Sequence, residues 1–234
     1  MTDIPILSII IPAYNEEKTV LALLERVNGQ SVDGIDLEII VVNDGSADNT
    51  LALLESHPNL YTKLVSLEKN SGKGAAVKAG LEAARGEFIL FQDADLEYDP
   101  AEYGIMCEPI LKYGAEIVMG SRFMAPRMTR VAYFWNKVGN RVITFFFNLL
   151  NNTTFSDIYS CYLLFRRDLL RLEKLKTVGW EQHAEILSLI VNRTTVIYEV
   201  PISYHGRSKK EGKKIRAYHV IPVLWTIAVR RFFR

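Results

Sequence analysis

The sequence predicts an α/β fold: a mostly parallel central sheet with helices on both faces, and an amphipathic helical extension at the C-terminus. Three observations predict it. Short runs of β-branched and aliphatic residues alternate with segments of helical periodicity. Several of those runs end in polar turns, where open α/β sheets bind ligands. The 234-residue chain is 49% hydrophobic, with eleven Phe and eleven Tyr, which supplies a large core and excludes disorder.

The elements follow in order. Ile6–Ile11 is a β-branched run ended by Pro12 and reads as a buried strand. Asn15 reads as the N-cap of the next helix, with Glu16 and Glu17 in its first turn. Val20, Leu23, Leu24 and Val27 recur at helical spacing, and Gly29 stops the run. Glu38–Val42 is a second strand, 43–46 a turn and Asn49–Ser56 a helix. Tyr61–Leu67 is a third strand. After Asn70-Ser71-Gly72-Lys73-Gly74 comes a helix with Val77, Leu81 and Ala84 on one face, ended by Gly86. Phe88–Phe91 is a fourth strand, running into Gln92-Asp93-Ala94-Asp95, and Glu116–Met119 a fifth. Tyr133–Leu150 and 179–192 are helical, Val196–Val200 is a late strand and Pro201 onward is loop. Tyr218–Arg234 is helical, broken or kinked at Pro222. No repeat or linker divides the chain, so residues 1–217 are expected to form one domain, followed by the basic, aromatic helix 218–234.

The net charge of +1 hides an asymmetry. Residues 1–120 hold 8 Lys and Arg against 20 Asp and Glu, whereas 201–234 hold 9 against 1. The acidic half suits a cation, and the basic tail needs an anionic partner or surface. Two cysteines, Cys107 and Cys161, exclude a disulfide scaffold and fit a reducing, cytoplasmic site. The first thirty residues lack the order of a signal peptide. No apolar run reaches the roughly 18 residues that span a bilayer.

Three strand ends deliver polar groups: Pro12–Glu16, Asp44-Gly45-Ser46, and Asp93-Ala94-Asp95 with Glu97 and Asp99 behind. Gathering carboxylates at one sheet edge is costly without a cation, since like charges repel. Mg²⁺ or Mn²⁺ takes oxygen ligands and shares them with phosphates, so the edge suits a metal and a polyphosphate. No Gly-x-Gly-x-x-Gly follows the first strand, and Gly72-Lys73-Gly74 lacks P-loop spacing, which argues against a dehydrogenase or P-loop ATPase.

Ser8–Glu16, Val42–Ser46, Asn70-x-Gly72-Lys73-Gly74 and Asp93-Ala94-Asp95-Leu96 resemble the family 2 glycosyltransferases of the Rossmann-like GT-A fold. Gly120-Ser121-Arg122-Phe123 and Glu199–Tyr204 resemble the branch of polyprenyl-phosphate (dolichyl-phosphate) mannosyltransferases and glucosyltransferases. The resemblance implies that Pro12, Ala13, Tyr14 and Glu16 line the nucleoside pocket, with Asp44 near base or ribose and Lys73 near the base. It implies that Asp93 and Asp95 hold a metal on the donor diphosphate and that Ala94 touches the nucleotide. Glu97 stands where the mannosyltransferases carry a Gln ligand, keeping an oxygen but adding a charge. Arg122 would lie between donor and acceptor phosphates, and Arg207 and Lys214 would close over the diphosphate.

The implied activity is metal-dependent, inverting transfer of a hexose from a nucleotide sugar of the GDP-mannose or UDP-glucose type to a polyprenyl phosphate. A lipid phosphate is already an anion and needs no general base. A saccharide hydroxyl, the second acceptor class, needs one, and Asp157, Glu181 and Glu185 are the candidates. A third possibility is a catalytically silent nucleotide-sugar-binding subunit. Glu181 and Glu185 read equally as a solvated helix face, Asp157 as a helix cap, Cys161 as core, and His183 and His205 as structural.

Phe145-Phe146-Phe147 reads as core or as a membrane-facing surface. Arg127, Arg130, Lys137 and Arg141 lie near it, and Arg130 is a candidate for the acceptor phosphate. The basic, aromatic tail has the same character, or is a solvated helix closing the sheet edge. Peripheral contact with the cytoplasmic face of a membrane, direct or through a membrane-protein partner, is expected. No nucleic-acid module accompanies the basic tail.

Overall fold

The computed structural model describes residues 4–124, 134–206 and 220–233. Within them the strands are β1 (Ile6–Ala13), β2 (Asp36–Asn43), β3 (Lys63–Ser66), β4 (Phe88–Phe91), β5 (Ile117–Ser121), β6 (Leu163–Arg166) and β7 (Ile197–Pro201). They form one sheet in the order β3-β2-β1-β4-β6-β5-β7. Every pairing is parallel except those of β6, which runs antiparallel to both neighbours. The helices are α1 (Val20–Asn28), α2 (Thr50–Ser56), α3 (Lys73–Ala83), α4 (Tyr103–Tyr113), α5 (Phe134–Asn151), α6 (Gln182–Ile190) and α7 (Val220–Phe232).

β1 is central because it is apolar on both faces: Leu7, Ile9, Ile10 and Ile11 are fully buried. Its one buried polar side chain, Ser8, has partners. The hydroxyl donates to Glu38 Oε2 at 2.5 Å and accepts from the Gly86 amide at 2.9 Å. Glu38 also accepts from the Arg85 amide and guanidinium at 2.9 and 2.8 Å. Burial pushes the Glu38 pKa up, but these hydrogen bonds outweigh it and hold the carboxyl below its ordinary range. The far end of the sheet is thereby fixed with ion-pair chemistry, away from the carboxyl edge.

Four expectations need correction. Asn15 does not cap a helix: it has φ 52°, and α1 begins at Val20. Its side chain serves a long-range tie instead, accepting from the Ala47 amide at 2.9 Å while its own amide donates to Ser46 Oγ at 3.1 Å. Asn tolerates this left-handed conformation, and the tie binds the β1 loop to the β2 loop. Pro222 does not break the last helix, because it lies in the first turn of α7, where its missing N–H has no intrahelical partner to lose. The tail is not a wholly solvated helix: one face is packed, while Ile221, Trp225 and Phe232 stay exposed. α7 packs on α5 and α6 through Val223, Thr226 and Ile227, and Arg230 pairs with Glu185 and donates to the Lys174 carbonyl. Finally, Phe145-Phe146-Phe147 is split, since Phe147 is fully buried and Phe145 is 69% exposed. The expected domain boundary at 217/218 lies outside the described residues.

Candidate active site

The carboxyl ends of β1, β2 and β4 meet at one edge, and short hydrogen bonds bind their loops together. Glu16 N–H donates to Thr50 Oγ1 at 2.9 Å, and Asn49 N–H donates to Glu17 Oε2 at 3.1 Å. Asp44, buried at the end of β2, accepts from the Ser71 and Gly72 amides at 2.8 and 3.0 Å. Gly45 (φ 59°) lies so close to Lys69 and Asn70 that a Cβ would stand 2.3 Å from the Lys69 carbonyl carbon. The β2 loop therefore holds the turn that leads into α3.

That turn sets Lys73. Gly72 (φ 95°) and Gly74 lie against the backbone of Val178, where a Cβ on either would come within 2.6 Å, and Gly74 N–H donates to the Val178 carbonyl at 2.8 Å. The two glycines thus let α3 touch the segment before α6. Lys73 Nζ consequently pairs with Asp93 Oδ1 and sits 5.1 Å from the centre of the Trp180 ring. Burial opposes the charge on both partners, but each outweighs it for the other: the Lys73 pKa is raised and that of Asp93 lowered. Gln92 anchors the end of β4. Its Oε1 accepts from Tyr103 and Tyr162 at 2.9 and 2.7 Å, and its Nε2 donates to the Asp93 carbonyl at 3.1 Å.

A pocket opens at this edge. Its lining includes Pro12, Lys73, Asp93, Glu97 and Arg122, together with Tyr159, Trp180, Gln182 and His183. Arg122, at the end of β5, is almost buried and forked onto Asp157: Nε donates to Oδ2 at 2.7 Å and Nη2 to Oδ1 at 2.9 Å. Nη2 also donates to the Tyr159 carbonyl at 3.1 Å, and the guanidinium lies 5.1 Å from the centre of the Tyr204 ring. Burial works against the Arg122 charge and Asp157 overrides it. Glu199 in β7 holds this arrangement by accepting from the Ser156 and Asp157 amides at 2.9 and 3.1 Å. Glu97 accepts from Tyr204 Oη at 2.6 Å, and Asp95 Oδ1 from the Glu97 amide at 3.1 Å.

The structure brings Pro12, Lys73, Asp93, Glu97 and Arg122 to one pocket. Ala13, the last residue of β1, and Glu16 and Ala94, in the loops after β1 and β4, are buried, and Asp44 is committed to the Ser71-Gly72 turn. Tyr14 is half-buried on the β1 loop. Arg207, Lys214 and Arg130 lie outside the described residues. Two of the three candidate bases are engaged otherwise. Asp157 is fully buried and bound by Arg122. Glu185 is fully buried, accepts from the Lys176 and Thr177 amides at 3.1 and 3.0 Å, and pairs with Arg230. Neither is placed to take a proton from an acceptor. Cys161 is buried, and burial first, then Asp93, pushes its thiol pKa well up, in keeping with a core residue.

Among the described residues no three His, Cys, Asp or Glu side chains converge as a metal cluster. The donor set nonetheless suits a hard cation, because Glu97 lines the pocket and Asp95, outside its lining, offers a carboxylate on the same loop after β4. Mg²⁺ characteristically uses one or two carboxylates and completes its shell with substrate phosphates and water. Asp93 is already balanced by Lys73. Gln92, Tyr98, Tyr159, Trp180, Gln182 and His183 are site residues that the sequence did not single out for this role. Of these only Gln92, adjacent to the Asp-x-Asp segment, carried a positional signal.

Comparison with known proteins agrees with this geometry. The family model described as "Glycosyl transferase family 2" matches residues 8–172. A dolichol-phosphate mannosyltransferase of Pyrococcus furiosus is 28% identical over 218 residues, covering 90% of this chain and 61% of its own. An undecaprenyl-phosphate 4-deoxy-4-formamido-L-arabinose transferase of Aeromonas hydrophila is 33% identical over 219 residues, covering 89% of this chain and 64% of its own. This chain therefore spans less than two thirds of the length of these two relatives. Among solved structures, glucosyl-3-phosphoglycerate synthase of Mycobacterium tuberculosis, in complex with Mn²⁺, UDP and glucosyl-3-phosphoglycerate, aligns with a TM-score of 0.72 at 21% identity. That alignment covers 97% of this chain and 80% of the other.

Proposed function

This chain belongs to glycosyl transferase family 2, and from that premise we propose that it moves a hexose from a nucleotide sugar to a polyprenyl phosphate, with inversion and with a divalent cation. The observation that carries this is the carboxyl-edge pocket that joins Pro12, the Lys73–Asp93 pair, Glu97 and Arg122. The P. furiosus and A. hydrophila relatives, named for dolichol-phosphate and undecaprenyl-phosphate transfer, support the acceptor class. The neighbour with Mn²⁺ and UDP supports a cation at the diphosphate.

The chain's own groups divide the work. Pro12, Ala13, Tyr14, Glu16 and Asp44 hold the nucleoside end, and Ala94 lies against it. Asp93, Asp95 and Glu97 hold the cation. When bound, the cation stabilises negative charge growing on the departing diphosphate. Arg122, fixed by Asp157, adds positive charge between donor and acceptor phosphates, and Arg207, Lys214 and Arg130 are assigned to the same phosphates. An acceptor phosphate oxygen attacks the anomeric carbon from the face opposite the diphosphate, whose bond to that carbon breaks. No proton is removed from a phosphate monoanion or dianion oxygen. That agrees with the engagement of Asp157 and Glu185, and leaves Glu181 as the candidate base for the alternative, transfer to a saccharide hydroxyl. The purified protein is expected to convert a polyprenyl phosphate into a labelled glycolipid in the presence of a sugar nucleotide and Mg²⁺ or Mn²⁺. Failure with all donors despite nucleotide binding would favour the silent subunit.

We also assign the chain to the cytoplasmic face of a membrane, held peripherally or by a membrane-protein partner. No helix among the described residues is long and apolar enough to cross a bilayer. The packed pair α5 and α7 exposes Trp135 (76%), Phe145, Leu149, Trp225 (71%) and Phe232. These aromatics, with Arg231 near the end of α7, suit an interfacial position. Replacing Trp135 and Trp225 by Ser should weaken sedimentation with anionic phosphatidylglycerol vesicles roughly tenfold. Melting temperature should not change, because both rings are outside the core. Unchanged vesicle binding would remove this face from membrane contact.

A further inference from the structure

The part of the pocket that faces α6 contains two polar atoms that are buried without a partner, Gln182 Oε1 and His183 Nε2. They belong to adjacent residues at the start of α6, and both residues line the pocket. Gln182 is 2% exposed, and its amide nitrogen is already used, donating to the Thr177 carbonyl at 3.1 Å. This fixes the other end of the amide as an acceptor. An orphaned acceptor in a buried site is costly unless a ligand supplies the donor. The His183 ring is wedged between Phe91 and Tyr159, with centroids 6.4 and 5.9 Å away, so it cannot swing out to water without disturbing both.

The chemistry of these two atoms selects their ligand. A bare carbonyl oxygen repels phosphate oxygens and carboxylates, and it accepts from O–H or N–H. Lys73, which flanks Trp180, is already paired with Asp93, so it does not draw an anion to these two atoms. Flat apolar faces stand close by: Trp180 beside Lys73, and Tyr159, whose hydroxyl is turned away to donate to the Trp180 carbonyl at 2.6 Å. Hydroxyl-reading acceptors next to aromatic faces suit a pyranose, which presents O–H groups around its rim and C–H groups on its faces.

We propose that Gln182 Oε1 and His183 Nε2 are the specificity contacts for hydroxyls of the transferred hexose, which sits against Trp180 and Tyr159 while its diphosphate lies toward Asp93 and Glu97. This rests on the nucleotide-sugar reading above and names the subsite within it. Gln182 accepts from one hydroxyl. His183 exchanges a hydrogen bond with a second in whichever tautomer the sugar requires. Their one-residue separation makes the pair sensitive to the configuration of neighbouring hydroxyls. Gln182 and His183 are therefore determinants of which hexose is moved, and they do not contact the nucleoside.

Calorimetric titration separates this from a structural role. Wild type, Gln182→Met and His183→Phe are titrated with UDP, GDP, UDP-glucose and GDP-mannose in the presence of Mg²⁺. For the base that wild type binds, each variant should hold the bare nucleoside diphosphate within about twofold of wild type. Each should bind the corresponding nucleotide sugar roughly tenfold more weakly, a loss of about 1.4 kcal/mol. Equal weakening of diphosphate and nucleotide sugar would make the residues structural and overturn the inference. Unchanged nucleotide-sugar affinity in both variants would overturn it too, while leaving the transferase reading standing. A wild type that binds none of the four ligands would overturn the nucleotide-sugar reading itself, and the subsite with it.

Discussion

Asp95→Ala is expected to lower hexose transfer by a factor on the order of 10²–10³, the range typical of losing one group that stabilises charge in a transition state. The same substitution should erase metal-dependent nucleotide binding. In wild type, a nucleoside diphosphate at 100 times its Kd should stabilise the fold by about 2.7 kcal/mol, and only when Mg²⁺ or Mn²⁺ is present. In Asp95→Ala that shift should vanish. The change removes a half-buried carboxylate on the loop after β4, so the unliganded protein should melt near the wild-type temperature. Thermal melts with and without cation check binding, and label transfer checks rate. A variant with the full cation-dependent shift would remove Asp95 from the metal. Lys73 and Asp93 already neutralise each other, which is why Asp95 and not Asp93 is the sharper probe.

Asp157→Ala is expected to be the most destabilising single change near the site, costing about 3–5 kcal/mol of unfolding free energy. Its carboxylate is fully buried and accepts from Arg122 at three nitrogens and from the Tyr159 amide. Truncation would strand a guanidinium that is itself almost buried. Asp157→Asn keeps the shape and one acceptor oxygen, so it should lose markedly less stability. It should still transfer more slowly, because Arg122 would no longer be held by a charge-assisted fork. Denaturant titration of both variants tests this. Equal stability of Asp157→Ala and wild type would show that the pair is dispensable to the fold.

The strands at the front of the sheet were legible because their chemistry is local. Leu7–Ile11 and Phe88–Phe91 are largely apolar runs buried on both sides, and each ends close to where polar residues begin. The loops after them were legible for the same reason, so Pro12, Glu97 and Asp93 could be named in advance. β6 was not, because four residues, Leu163–Arg166, give no period long enough to separate strand from buried loop, and nothing local announces a reversed direction. α4 was obscured by Pro109, which sits inside it.

The site's finer chemistry was hidden by distance along the chain. Asp157 meets Arg122 across 35 residues and Lys73 meets Asp93 across 20. Each of these residues looks like a free charge until the sheet brings its partner. Asn15 has the side chain of a helix cap, and only the nearby Ser46-Ala47 turn shows why it became a tie between loops. Gln182 and His183 carry no motif. Their meaning comes from two buried polar atoms that lack a partner within the protein.

The central claim is that the pocket hands a hexose from a nucleotide sugar to a lipid phosphate, an acceptor that needs no base. The most direct test incubates the purified protein with radiolabelled UDP-glucose or GDP-mannose, Mg²⁺ or Mn²⁺, and either a short polyprenyl phosphate or the matching polyprenol. Label is expected in the organic phase with the phosphate and at background with the alcohol. Label transferred to the polyprenol, or to a saccharide in place of the polyprenyl phosphate, would contradict it.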